Sequence, residues 1–400
     1  MNYLIILQIL FEISVFKWYS LNCTKQLIQM RKFLLLPLML SPLLSLAQNF
    51  HLFVGTYTNK GSKGIYVYKF NAANGTAQLI SNTDSAANPS YLAIASDGKT
   101  VYAANETGGK QPGKVSAYRF DRNTGKLSLI NQQETGGDHP CYVSVNKNNT
   151  LVMAANYSGG SLAAFTVNKD GSLNPHAQFI QHTGSGANKQ RQEKPHVHSA
   201  VFSPDENYLF TPDLGQDKVV IYKVTAGAKE PLSPADPAFT AVAPGHGPRH
   251  FEFHPNKKFA YLMEEISGTV GAYQYDNGKL TLIQNIATHP ESFTGKIGSA
   301  DIHVSPDGKF VYASNRGEEN NIAIFSVSPA TGKLTLKGYQ PAMGKTPRNF
   351  MIDPTGNYLL VANQDSNNIV IFKRNKATGL LTETGKQIEV SMPVCLKMLK

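Results

Sequence analysis

A unit of about 50 residues recurs seven times in this 400-residue chain. Each copy opens on a short apolar strand led by Pro or Ala: Pro89, Pro140, Pro195, Pro248, Ala300, Pro347 and Pro393, spaced 46 to 55 residues apart. A period of this size means a closed array or a solenoid, because one such unit cannot bury its own apolar face. It also lets residues be compared column by column within a single chain.

One copy shows what the unit folds into. Tyr91–Ala95 is a buried strand, Asp97-Gly98 a turn and Thr100–Ala104 a second strand. Lys114–Asp121 alternates and is rich in Val, Tyr and Phe. Thr124-Gly125-Lys126 then turns the chain into Leu127–Gln132. Four antiparallel strands per unit, seven units and no helical period predict an all-β seven-bladed β-propeller. The ends agree. The seventh first strand, Pro393–Leu399, lies at the C-terminus, and its three partners, Leu52–Tyr57, Gly64–Asn71 and Thr76–Ser81, lie near the front. Pairing them closes the ring and removes an exposed sheet edge. The sole Trp, Trp18, precedes the repeats, so they carry no Trp-Asp signature of WD40 scaffolds.

The N-terminal stretch reads as a targeting segment. Arg31-Lys32 supplies a basic start, Phe33–Leu46 an apolar run and Ser45-Leu46-Ala47 a small-x-small cleavage pattern. Met30 directly precedes it. The expected division is an unused upstream extension (1–29), a signal peptide (30–47) and a propeller (48–400), exported to the periplasm with no membrane insertion after cleavage. The formal charge of +10 falls to +7 once Lys17, Lys25, Arg31, Lys32 and Glu12 are set aside. Basic residues are dispersed, which argues against nucleic acid and suits a small anionic ligand. Cys23, Cys141 and Cys395 are too few and too scattered for a disulfide framework; the last two read as buried thiols.

In a hairpin the start of the first strand lies beside the end of the second, so both reach one rim of the channel, where pockets form. Second-strand ends give an inner column of Asn105, Asn156, Asp213, Glu264, Asn315 and Asn363. Its constancy suits side chains that bond turn backbone. The next column, Glu106, Tyr157, Leu214, Glu265, Arg316 and Gln364, varies from blade to blade, as an asymmetric ligand site requires. First-strand starts add His196, His198, Arg249, Asp301, His303 and Arg348. Counted from the leading Pro or Ala, these are expected to share one phase. His196, Asp301 and His303 read equally well as inter-blade struts; His198, Arg249, Glu265 and Arg316 read as the site. Gly184–Asn188, followed by Arg191, is expected to form a loop over the mouth. It lacks the form of a phosphate-binding loop. His196-x-His198, with His303 in phase, is conceivable as a metal site, but the spacing is not diagnostic and Glu265 beside two arginines disfavours a cation, so no metal or cofactor is expected.

The strings FVGTYT (53–58), HPCYVSV (139–145), PHVHSAVFSPD (195–205), GPRHFEFHP (247–255) and ADIHVSPDGKFVYASNR (300–316) resemble the propeller-type 6-phosphogluconolactonase family, to which fungal carboxy-muconate lactonising enzymes are similar. The resemblance covers essentially all of 51–400. It implies a hydrolase that opens a sugar lactone, with site residues on His198, Arg249, Glu265 and Arg316. Glu265 or His198 would be the base toward water, and Arg249 and Arg316 would stabilise an oxyanion. Arg348, Glu106, His196 and Arg191 are the expected substrate contacts. The export signal points to a lactone met outside the cytoplasm.

Overall fold

The structure, a computed structural model, describes Glu12, Lys17, residues 48–84 and residues 86–400. The expected upstream extension and signal segment, with Trp18, Cys23, Met30 and Arg31-Lys32, lie outside the described residues. Among the described residues no helix is long and apolar enough to cross a membrane.

Seven four-stranded antiparallel sheets form the propeller. Blade 1 unites the two ends of the repeat array: the C-terminal strand Pro393–Leu399 pairs with Asn49–Thr56, which continues into Tyr66–Asn71 and Thr76–Asn82. Blades 2, 3, 4, 5, 6 and 7 begin with Pro89–Ile94, Pro140–Val145, Val201–Phe202, Pro248–Phe253, Ser299–Val304 and Pro347–Ile352. Each runs outward through three more strands by hairpins. The turn between first and second strands places a residue at positive φ in every one of blades 2 to 7: Gly98, Asn149, Glu206, Lys257, Gly308 and Gly356. In blades 2, 4, 5 and 6 the acidic or amide side chain before it caps the turn, as Asp97 does by accepting from the Lys99 amide at 2.9 Å.

The first strands are innermost and meet one another around a complete ring. Leu92 N donates to Cys395 Sγ at 3.3 Å, Tyr91 stacks on Tyr142 at 4.1 Å, and Cys141 Sγ reaches the Val197 carbonyl at 3.9 Å. Ser199 Oγ donates to the Arg249 carbonyl at 2.8 Å, and Arg249 Nη1 to the Ala300 carbonyl at 2.5 Å. Asn349 bonds Asp301 on one side and accepts from Leu396 N at 2.7 Å on the other. Apolar residues fill the wedges between sheets; Phe310, Tyr312, Phe350, Leu359 and Phe372 do so between blades 6 and 7.

One inter-blade tie repeats. A buried tyrosine on a second strand donates to a glycine carbonyl in the next blade's outer hairpin: Tyr102 to Gly171 at 3.1 Å, Tyr261 to Gly332 at 3.0 Å and Tyr312 to Gly379 at 2.7 Å. Gly332 is required there, since a Cβ would come within 2.6 Å of the Phe259 ring and its φ is +71°. Tyr261→Phe leaves a buried carbonyl without its donor. It should lower stability by about 1–3 kcal/mol. In urea titrations the midpoint should fall with the slope unchanged.

Candidate functional site

Backbone register determines which side chains reach the rim. Pro248 pairs with Glu264, and after a bulge Phe251 pairs with Leu262. The same irregularity follows Pro89, Pro140, Ser299 and Pro347. In blade 6 it is Ser299 that pairs with Asn315, so Ser299 is the counterpart of Pro248. In blade 4 Val197 bridges to Asp213 and Val201 pairs with Phe210, so Val197 is the counterpart. The residue one place further along is therefore Ser90, Cys141, His198, Arg249, Ala300, Arg348 and, in blade 1, Val394. The second-strand column gains Tyr57 from blade 1, because Asn49–Thr56 is that blade's second strand.

These two columns build a cavity of about 200 Å³ lined by Tyr57, Glu106, Cys141, Tyr157, Arg191, His198, Glu265, Arg316 and Arg348. Its volume equals the share of about seven water molecules at roughly 30 Å³ each, which suits one sugar-sized ring. Glu265 is its electrostatic hub. Arg249 Nε reaches Oε2 at 2.8 Å, Arg316 Nη2 reaches Oε2 at 2.9 Å and Arg191 Nη2 reaches Oε1 at 2.6 Å. Burial alone would raise the Glu265 pKa, but Arg316, Arg249 and Arg191 together hold it well below the usual carboxylate range. Burial draws Arg316 down to about 10, with Glu265 opposing, so it stays cationic at neutral pH. Across the cavity Tyr57 OH donates to Glu106 Oε2 at 2.8 Å, and Arg348 stands 3.8 Å from the same oxygen. Four guanidinium groups thus face two carboxylates.

His198 is buried. Its burial, then the charges of Arg249, His250 and Arg348, push its pKa well below the ordinary value. The ring is a neutral imidazole at neutral pH. Nδ1 lies 3.6 Å from Cys141 Sγ, whose own pKa burial raises, and Nε2 bonds no described residue. Tyr157 packs edge-on against the ring at 5.3 Å, and His250 does so from beneath at 5.3 Å. Below His250 runs a chain of bonded ionisable groups. His250 Nδ1 reaches Asp301 Oδ1 at 2.6 Å, Asp301 Oδ2 meets His303 Nε2 at 3.1 Å, and His303 Nδ1 meets Glu252 Oε2 at 2.5 Å.

The structure brings His198, Glu265, Arg316, Arg348, Glu106 and Arg191 to one cavity. Arg249 differs from expectation. It lies behind Glu265, 1% exposed, with Nε on Glu265 and Nη1 on the Ala300 carbonyl. His196 also stands back from the wall. Its Nδ1 faces the Tyr157 carbonyl at 3.0 Å and its ring stacks on Tyr157 at 4.6 Å. Asp301 and His303 do not share a phase with His198 and Arg249. Counting from Ala300 misplaced blade 6 by one residue, and the bulge breaks simple alternation. Arg191 sits on the loop between Gln181 and Val197, its side chain 44% exposed. Gln192 Nε2 anchors that loop to the Leu214 carbonyl at 2.8 Å. Tyr57 and Cys141 were missed as cavity residues; including blade 1 in the second-strand column finds Tyr57. In the inner column Asn105, Asn315 and Asn363 donate to the carbonyls of Ala87, Thr288 and Ala342, the turn role expected of them.

A larger cavity, about 510 Å³, opens at the other mouth of the channel. Its acidic and imidazole groups are largely bonded to each other, so the smaller cavity is the chemical one. Among the described residues no group of three or more His, Cys, Asp or Glu could hold a metal ion.

The chain matches the family model "Lactonase, 7-bladed beta-propeller" over residues 51–398. It is 42% identical over 317 residues to a 6-phosphogluconolactonase of Formosa agariphila, covering 79% of this chain and 90% of that protein. To a 6-phosphogluconolactonase of Bacillus subtilis it is 38% identical over 349 residues, covering 87% and 97%. The solved structure of a periplasmic gluconolactonase of Pseudomonas aeruginosa superposes with a TM-score of 0.84 at 39% identity, covering 88% of this chain and 99% of that one.

The bonded chain under His198 should be visible in stability. Burial would lower the His303 pKa, but Asp301 and Glu252 outweigh it and raise it to about 10. A group whose folded pKa exceeds its unfolded value of about 6.5 contributes fully below that value and loses its contribution as pH rises through the folded one. Between pH 6.5 and about 10 the melting temperature of the wild type should therefore fall more steeply than that of His303→Gln. Parallel slopes in thermal melts would remove His303 from this role.

Proposed function

The chain belongs to the seven-bladed β-propeller lactonase family, and from that premise we propose that it hydrolyses the 1,5-lactone of a six-carbon sugar acid, with His198 as general base. The observation that carries the reading is a neutral imidazole whose Nε2 has no described partner, in a small cavity lined by three guanidinium groups and two carboxylates, with the Arg249 guanidinium behind Glu265. Lactone opening asks for those two things, a proton acceptor for water and cationic stabilisation of an oxyanion.

Glu265 suits the base role less well. Three guanidinium groups occupy both its oxygens and depress its proton affinity. The groups around His198 favour the opposite. If the Cys141 thiol donates to the His198 carbonyl at 3.5 Å, Nδ1–H donates to Sγ and the Nε2 lone pair is left for water. Water attacks the lactone carbonyl carbon as Nε2 takes its proton. The tetrahedral oxyanion forms against Arg316 and Arg348, whose charges are only partly met by Glu265 and Glu106. The C–O ring bond then breaks, and the imidazolium returns the proton to the departing oxygen. The product is the open hydroxy acid. Arg249 holds Glu265, and through it Arg316, in place. It is a positioning residue.

Arg191, the most exposed member of the set, is placed to meet a distal anionic group such as a 6-phosphate. The named relatives make 6-phospho-D-glucono-1,5-lactone the first substrate to try. The leader pattern at 30–47 and the periplasmic relative support export, so the unphosphorylated lactone belongs in the same panel.

His198→Gln should lose about 10²–10⁴-fold in kcat, the usual worth of a general base. The acidic limb of wild-type kcat/KM should lie below the ordinary histidine value of about 6.5, because His198 must be neutral to act and its pKa is depressed. Both are read in a buffered proton-release assay corrected for spontaneous opening. Full turnover in His198→Gln would sink this assignment. Glu265→Gln alone cannot decide it, since that change also strips three arginines of their shared carboxylate.

Arg191→Ala should erase any preference for the phosphorylated lactone by raising its KM, with kcat on the plain lactone preserved. A preference that survives the substitution assigns the phosphate to another group.

A further inference from the structure

We propose that the chamber at the opposite mouth of the channel is a second binding site, for a small organic anion that carries a flat or apolar ring. At about 510 Å³ it falls within the range of ordinary small-molecule sites. A septum of Tyr91, Tyr142 and His250 separates it from the lactone cavity. Tyr91 and Tyr142 stack at 4.1 Å, and His250 meets their edges at 5.8 Å and 5.6 Å. The septum is the chamber's aromatic floor, and Phe202 and Phe253 extend the apolar wall.

The charge of the ligand follows from which groups are already satisfied. Asp301 is bonded to His250, His303 and Asn349. Glu252 accepts from His303 and, at 3.1 Å, from Val304 N. Glu206 at the rim accepts from the Lys147 amide at 2.7 Å. The cations are less well matched. Lys147 Nζ donates to the Pro204 carbonyl, and Lys257 is also at the rim. Lys397 Nζ has no carboxylate within ion-pair distance among the described residues. It stands 4.7 Å over the Tyr91 ring and 3.4 Å from its hydroxyl. An ammonium set over an aromatic floor, with every nearby carboxylate engaged elsewhere, is matched by an anion joined to a ring that lies against Tyr91 and Phe253.

The test uses the full propeller and defined probes. Benzoate and cyclohexanecarboxylate are titrated by calorimetry and by saturation-transfer NMR, beside ring-free acetate and neutral benzyl alcohol. Saturable binding of both ring carboxylates is expected, with acetate and benzyl alcohol at least about tenfold weaker. Lys397→Gln keeps a stem over Tyr91 without the charge and should weaken benzoate about tenfold or more, while Lys397→Arg retains it. Arg316→Ala, which alters only the lactone cavity, should leave benzoate binding unchanged. The proposal is overturned by absence of saturable benzoate binding, by equal affinity in Lys397→Gln, or by loss in Arg316→Ala. The last result would place the probe in the upper cavity. Since no arm measures lactone turnover, a chain that opened no lactone could still pass, and an active lactonase could still fail.

Discussion

Pairing between Pro393–Leu399 and Asn49–Thr56 is the constraint on which the rest of the molecule depends. Without it blade 1 has no inner strand, and the ring of first-strand contacts is broken at both Cys395 and Leu396. The consequence reaches the site. Asn349 accepts from Leu396 and bonds Asp301, and Asp301 holds His250 beneath His198. Chain closure and the placing of the imidazole are thus joined by a hydrogen-bonded path that runs to His250 and ends in its ring contact with His198. A propeller suits the proposed chemistry because strand ends far apart in sequence come to one rim, and only Arg191 among the cavity's ionisable groups is supplied by a long loop.

Much of this could be read in advance, and the reason is locality. Strand alternation, turn residues and a period of about 50 residues are short-range signals, and they give the blade, the count and the closure. The site was legible where two columns could be aligned without knowing register. Glu106, Glu265 and Arg316 follow directly from second strands that all end on a polar residue. First strands were harder. Pro195 and Ala300 look like the counterparts of Pro248, yet backbone pairing shows the counterparts to be Val197 and Ser299. A shift of one residue, as in blade 6, changes which face a side chain takes, whereas a shift of two, as in blade 4, keeps it. His198 was still identified, because its neighbour two places back was counted in the same phase. Asp301 and His303 were placed with the wrong group for the same reason. His250 went unnoticed, since it occupies the bulged position that alternation does not describe.

The surplus of guanidinium groups also accounts for how the cavity is built. Three arginines from different parts of the chain converge on Glu265, and each would be costly to bury alone. One carboxylate lowers that cost for all three without cancelling it. The fourth, Arg348, shares Glu106 at a longer distance with the Tyr57 hydroxyl. The cavity wall is therefore held in an arrangement that an incoming anion improves. That is a stability disadvantage in the free protein, of the kind active sites commonly retain. In the proposed hydrolysis it would favour the charged transition state over a neutral ground state, because the oxyanion supplies the negative charge that the wall lacks.

The same reasoning separates the two candidate bases more firmly than position in a motif can. A carboxylate at the centre of three cations is a good anchor and a poor proton acceptor, since any proton it takes displaces a guanidinium interaction. An imidazole depressed by burial and by Arg249, His250 and Arg348 is neutral, and in the proposed step it would lose little by accepting a proton when an oxyanion forms beside it. Arg249 acts on both groups, lowering the proton affinity of Glu265 together with Arg316 and Arg191 and that of His198 together with His250 and Arg348. In the proposed mechanism Glu265 and His198 are then two parts of one electrostatic arrangement, with the charge held at the first and the proton moved at the second.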